Sequence, residues 1–342
     1  MSTPKKEDRF ADSASKIKAP FAVDPTMLFY SPQENVAAFE HPRIARYLEW
    51  ISNDWTPPKG GPRIAILIPC TKYKPYPVSR EHRSINGALL AAGWEPDGSG
   101  KPPSELYDAL DDGEDERLLD LGTMTRNDVS LDRIVMSEPL GLVPYTHVYH
   151  WDDGPSPATS YDDPGLFGSR GSSVSPWRAD HTATQTPSGK WSWGPNEREA
   201  YVSAHNLLSG VINQALTRVA PRYAAIGAWA SPGLTHRSFL MDVAQRKDEG
   251  LPLSRRGPNG PMALAGVRDQ SPDVVDIMPT TKQLEQAQAA LAKRLKREGR
   301  SHTPGAVRAV YARGDGTDTP LGLPELLAHL IKWIDTSAKS AA

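Results

Sequence analysis

The chain has 342 residues, enough to bury one large core or two ordinary ones, and its 39 basic against 41 acidic side chains exclude a protein-wide positive field that would gather nucleic acid nonspecifically. An apolar fraction of 38% beside 32 prolines and 27 glycines predicts a compact core with long ordered loops rather than global disorder. The single cysteine, Cys70, excludes an internal disulfide framework and any multi-cysteine zinc or iron–sulfur site.

Residues 1–35 are polar, charged and Pro-containing, and are expected to form a mobile arm. The opening segment lacks an apolar h-region, and no stretch reaches the ~18 apolar residues of a membrane span, so a cytoplasmic chain with no membrane partner is expected. From Pro42 to Ile51, Ile44, Tyr47, Leu48 and Ile51 recur at helical spacing. The continuous apolar run Arg63–Pro69 then reads as a strand covered on both faces, and it delivers Cys70 to a strand end.

A short helix is expected over 84–93, and a second buried strand over Asp132–Met136, which delivers Ser137 and Glu138 to its end. Between about 150 and 196 the chain is rich in Gly, Ser, Pro, Asp and Trp without periodicity, as a functional or a disordered loop is, and Trp151, Trp177, Trp191 and Trp193 favour order. Glu197–Ala220 has the strongest helical pattern, followed by a strand over 223–229 and a helix over 234–245. Strands alternating with helices imply an α/β fold with a doubly wound, mostly parallel sheet. The boundaries expected from this reading are a catalytic domain at 36–247, a linker at 248–274 and a small helical C-terminal appendage at 275–342.

The segment carrying chemistry is Pro69-Cys-Thr-Lys-Tyr-Lys-Pro-Tyr-Pro-Val-Ser-Arg-Glu-His82, placed at a strand's carboxyl end, where ligands of open α/β sheets gather. A cysteine is ordinarily a small buried hydrophobe, but cations near Cys70 would favour its nucleophilic thiolate. The segment resembles the archaeosine synthase signature P-C-S-x-x-K-P-Y-x-x-S-x-S-H. Cys70, Lys74, Pro75, Tyr76, Ser79 and His82 fall on its positions, Thr71 replaces a serine, and Glu81 replaces the last serine. Ser137-Glu-Pro-Leu-Gly-Leu-Val-Pro144 is similar to the family's S-E-P-L-G-x-V-P stretch. Tyr149 and the segment Tyr161-Asp162-x-Pro164 continue the likeness, which covers about residues 60 to 245 with an insertion at 165–190.

That resemblance implies a uracil-DNA glycosylase-like fold and chemistry on the 7-substituent of a 7-deazaguanine base, with an amine adding to the nitrile of 7-cyano-7-deazaguanine. The base would be free or within DNA or tRNA. The amine would come from lysine, from glutamine-derived ammonia or from ammonia, and other deazaguanine-pathway proteins are candidate partners. The expected catalytic residues are Cys70 as nucleophile, Lys74 or His82 as proton donor, and Glu138 as base or guanine-edge acceptor. Thr71, Tyr76, Ser79, Ser137, Tyr149, Trp151, Tyr161 and Asp162 are expected to line the substrate site, with Tyr76, Tyr149 or Trp151 stacking on the base.

Asp152, Asp153, Asp162 and Asp163, flanked by Gly and Pro, read as turn formers, His147 and His150 are too few for zinc, and neither metal nor cofactor is expected. Arg255, Arg256, Lys293, Arg294, Lys296 and Arg297 are the local patch where a nucleic acid would bind, if they are not simply solvated. Two other readings stay open: a lyase or hydrolase acting on the amide or carboxyl form of the substituent, and a non-catalytic modified-guanine-binding module.

Overall fold

The computed structural model describes residues 6–164, 173–317 and 319–341. Helices α1 (Lys6–Ser15) and α2 (Pro32–Ala38) precede α3 (Pro42–Asn53), which buries Ile44, Tyr47, Leu48 and Ile51, the face that the helical spacing predicts. Strand β1 (Arg63–Pro69) is buried at every residue, and α4 (Arg80–Ala91) begins at the Ser79 cap, one turn earlier than its apolar spacing suggests. Next come β2 (Glu95–Pro96), β3 (Met124–Arg126), β4 (Val129–Ser137) and β5 (Gly141–Pro144). Two small hairpins occupy the long loop, β6 (His150–Trp151) with β7 (Gly154–Pro155), and β8 (Thr184–Gln185) with β9 (Trp191–Ser192). Part of the expected insertion, 165–172, lies outside the described residues.

The long helix α5 (Pro195–Val219) leads to β10 (Ala225–Trp229). The helix expected over 234–245 is two helices, α6 (Thr235–Leu240) and α7 (Val243–Asp248), because Asp242 stops the run and caps α7 by accepting the Gln245 N–H. A hairpin, β11 (Ser254–Gly257) and β12 (Gly260–Ala263), then α8 (Val267–Gln270) and β13 (Asp276–Met278) follow. The chain ends through α9 (Thr281–Arg297), α10 (Pro304–Ala312) and α11 (Pro324–Ala341).

The central seven-stranded sheet runs β13-β10-β1-β4-β3-β2, with β5 also pairing β4. Its middle is parallel, β13 to β10 to β1 to β4, while β3, β2 and β5 add antiparallel pairs at one side. The fold is mixed α/β with a mostly parallel central sheet and a C-terminal helix. Helices α3 and α5 pack together against β5, and α11 packs against β1, β10 and α4. At the pole opposite the strand ends that matter below, the Asp132 carboxylate accepts from Arg63 at 2.7 and 2.8 Å, from Thr123 at 3.0 Å and from Tyr223 at 2.9 Å, tying β1, β4 and the entry to β10 together.

Three boundary expectations are corrected. The described part of the N-terminal segment is packed rather than a free arm: Met27, Phe29 and Tyr30 are buried, and Ile17 and Leu28 form β-bridges with Lys74 and Asp162. These apolar residues have no helical or strand period, so only long-range contact reveals their burial. The stretch 248–274 is not a bare linker, because its hairpin and α8 pack on α5. Residues 275–342 are no appendage, since β13 extends the sheet and α11 buries Leu326, Leu327, Leu330 and Ile334.

Gly227 shows how closely α11 is seated, because a Cβ there would lie 2.6 to 2.8 Å from the Trp333 ring, whose Nε1 donates to Asp276 at 3.0 Å. Gly227→Ala is therefore expected to destabilise the fold by about 1–3 kcal/mol, read as a lower urea midpoint at unchanged slope. Among the described residues, no helix is long and apolar enough to cross a membrane.

Candidate active site

The parallel strands β10, β1 and β4 end side by side, so whatever follows each is brought to one place. Cys70 follows β1, and its N–H donates to the Met136 carbonyl at 2.8 Å, carrying the β1–β4 ladder one residue further and holding the cysteine beside Glu138. Beyond β10, the chain turns into α6 and presents His236. The Cys70 Sγ lies 3.3 Å from His236 Nε2 and 3.5 Å from Glu138 Oε2, and those two atoms are 3.0 Å apart. Glu138 and His236 are buried, whereas Cys70 opens on a cavity of about 270 Å³ whose walls include Lys16, Lys74, Glu81, Asp162 and Asp163.

Burial opposes charge on His236, but the Glu138 carboxylate outweighs it and holds the imidazole pKa well above its ordinary value. Burial likewise works against the Glu138 carboxylate, yet His236 brings its pKa down. The thiol of Cys70 is pushed up by burial, and His236 offsets this only in part. The resting site is thus a carboxylate–imidazolium pair beside a neutral thiol. This differs from the expected cation-stabilised thiolate, and the reason is the desolvation that the strand ends impose.

Behind the cavity, the hydroxyls of Tyr76, Ser137 and Tyr161 form a buried triangle with separations of 3.0, 3.0 and 2.6 Å. Lys74 lies 4.3 Å from the Tyr161 ring centroid and donates to the Thr71 carbonyl at 2.8 Å, so its ammonium braces the loop rather than touching the sulfur. Thr71 and Ser79 line the cavity, Ser79 while capping α4 through the His82 N–H. Glu81 also lines it and accepts from the Thr319 hydroxyl, so this departure from the signature brings the C-terminal segment to the rim. Asp162 accepts from Ser13 and Lys16, both at 2.7 Å.

Several expectations are corrected here. His82 does not reach the cavity: its Nε2–H donates to the Pro69 carbonyl at 2.8 Å and its Nδ1 accepts from Tyr145 at 2.7 Å, so both nitrogens are engaged. Burial holds its pKa down to about 4, with the Pro69 hydrogen bond opposing, and it is a neutral strut rather than an acid. Tyr149 is buried and donates to the Leu119 carbonyl at 2.8 Å, and Trp151 packs on Tyr47 and Trp50 at 5.0 and 5.8 Å, so neither can stack on a base in this cavity. Asp152 and Asp153 turn the β6–β7 hairpin with φ of 52° and 59°, as turn formers do. Asp162 and Asp163 are instead buried in the site.

Of the basic residues, Arg294 is tied to Asp315 at 2.9 Å and Glu325 at 2.6 Å, and Arg255 lies 5.4 Å from the Tyr201 ring centroid. Only Arg256, Lys293, Lys296 and Arg297 of that set are exposed. His236, Lys16 and Asp163 were not among the expected site residues. The strand-end rule that singles out Cys70 and Glu138 points equally to the stretch after β10, which holds His236.

The buried imidazoles make a pH prediction. His82 and His205 are both held down to about 4, chiefly by burial, whereas unfolded histidine titrates near 6.5. Between those values the unfolded chain binds more protons, so the stability these residues contribute is complete above about 6.5 and is lost as pH falls toward 4. Urea midpoints are expected to drop across that window, and His82→Gln to flatten the drop.

Cys70, Glu138 and His236 also have ligand atoms within 4.8 Å of one another, a set that could hold a soft divalent ion. However, His236 Nδ1 is buried without a hydrogen-bond partner among the described residues, where a metal-bound imidazole is normally oriented by one. Dialysis against a chelator is accordingly expected to leave the rate of Cys70 alkylation unchanged. No family model, curated protein or solved structure matches the chain.

Proposed function

We propose that this protein modifies the 7-substituent of a 7-deazaguanine base, adding an amine across the nitrile of 7-cyano-7-deazaguanine in a DNA or tRNA modification pathway. The observation that carries the reading is the contact of Cys70 Sγ with His236 Nε2 at 3.3 Å and Glu138 Oε2 at 3.5 Å, open to a base-sized cavity. The likeness of Pro69–His82 and Ser137–Pro144 to the archaeosine synthase signature supplies the substrate class.

A nitrile carbon reacts slowly with amines, and a thiol divides the step in two. The Cys70 sulfur forms a bond to the nitrile carbon while one C–N π bond breaks. Glu138 takes the thiol proton, and His236 delivers one from Nε2 to the nitrile nitrogen, leaving a thioimidate. The donor amine then forms a C–N bond to the same carbon and gives up a proton to His236 Nε2, the C–S bond breaks, and the sulfur leaves with the proton held by Glu138. The product is an amidine, the thiol is regenerated, and no oxidant or reductant is needed.

The test is mass spectrometry of the free base, of a DNA oligomer and of a tRNA carrying the nitrile, each incubated with lysine, glutamine or ammonia. An amidine that appears only with a donor supports the reading. Conversion to an amide or acid without a donor would favour the hydrolase, and binding without conversion under every donor would favour the recognition module. Binding to the polymer that is flat in salt would leave the free base as substrate.

A further inference from the structure

We propose that Asp163 forms a subsite for the paired N–H donors of the bound base, and that this carboxyl selects a 2-amino lactam over a base lacking the exocyclic amine. The inference rests on the deazaguanine reading above and names the group that would recognise the ring. Asp163 is 5% exposed and lines the cavity, and its Oδ2 is buried with no hydrogen-bond partner among the described residues. Its neighbour Asp162, by contrast, is satisfied by Ser13 and Lys16. Lys74, the cation acting most strongly on Asp163, donates to the Thr71 carbonyl.

The backbone leading into Asp163 is held by hydrogen bonds on its N-terminal side. Asp162 N–H donates to the Met27 carbonyl at 3.1 Å, the Phe29 N–H donates to the Asp162 carbonyl at 2.9 Å, and the Tyr161 hydroxyl is locked by Ser137 and Tyr76. Pro164 follows, and a residue before proline is restricted to extended conformations. The carboxyl is therefore prepositioned, which makes a recognition contact selective. Burial, reinforced by the charges of Glu138 and Asp162, pushes its pKa well up. Two N–H donors from a ligand would supply the hydrogen bonds that its ionised form lacks. The covalent chemistry does not require Asp163, since Glu138 and His236 already carry the protons, and Glu138 Oε2 is occupied by that pair.

Calorimetry with 7-cyano-7-deazaguanine and with its analogue lacking the exocyclic amine tests the assignment in wild type and in the isosteric Asp163→Asn variant. Wild type is expected to prefer the 2-amino base by about tenfold or more, and the variant, which presents an amide N–H where an acceptor is needed, to bring the ratio within about twofold. The affinity of the variant for the analogue should stay near that of wild type, which shows that the cavity is intact. Retention of the preference in the variant overturns the assignment, and so does equal loss of both ligands, which would mark Asp163 as structural. If wild type binds neither base, the deazaguanine reading falls and this subsite falls with it.

Discussion

Cys70→Ser is expected to lower turnover of a nitrile substrate by about 10³-fold or more and to abolish any adduct at residue 70. A hydroxyl in the same place is a far weaker nucleophile, and the Glu138–His236 pair would have to remove a proton from a group that is much less acidic than a thiol. Intact-mass spectrometry reads the adduct directly, and because Cys70 is the only cysteine in the chain a thioimidate has one possible site. With the donor amine withheld, wild type should gain the mass of one base, and adding the amine should remove it. Full turnover in the serine variant would end the covalent scheme. It would leave Cys70 as part of the cavity wall.

His236→Gln should cost about 10²- to 10⁴-fold, the usual range for losing a positioned proton donor. Glutamine retains an N–H that can face Glu138 but cannot pass a proton to a nitrile nitrogen. The choice of variant matters, because His236→Ala would strand the buried Glu138 carboxylate and cost about 3–5 kcal/mol in stability, confusing misfolding with lost chemistry. The diagnostic readout is the pH profile. The Glu138 carboxylate raises the His236 pKa well above its usual value, so on the alkaline side wild-type activity should hold until the imidazolium proton is removed. The apparent pKa of that limb belongs to the coupled His236–Glu138 pair rather than to either residue alone. In His236→Gln the alkaline limb should disappear. An unchanged rate with an unchanged profile would remove His236 from the mechanism.

A neutral thiol beside a charged pair also has a consequence for inhibitor chemistry. Because burial keeps Cys70 protonated, small alkylating agents should react with it more slowly than with a low-pKa catalytic thiol, until a ligand in the cavity brings an electrophile within reach. On the proposed mechanism, the pair moves protons only after the substrate arrives. The cost of the site at rest is that Oδ2 of Asp163 and Oε1 of Glu138 are both buried without a hydrogen-bond partner among the described residues.

Much of the framework was legible along the chain. The apolar runs at β1 and β4 read as covered strands, the spacing of Ile44, Tyr47, Leu48 and Ile51 marked the inner face of α3, and the long period over α5 was unmistakable. Cys70 and Glu138 were legible as site residues because each directly follows such a strand, and a parallel sheet leaves that end open to ligands. Periodicity is a local property, however, and reports only which side of an element is apolar. It could not show that His236 meets Cys70 across 166 residues, since that depends on β10 pairing with β1 in parallel register. Nor could it show that His82, although on its signature position, turns both nitrogens into the protein. The burial of Ser13, Ile17, Met27, Phe29 and Tyr30 and the seating of Trp333 over Gly227 are likewise long-range contacts without a period. Strand order decided which polar groups meet, because side chains distant along the chain become neighbours only when backbone ladders close between their strands.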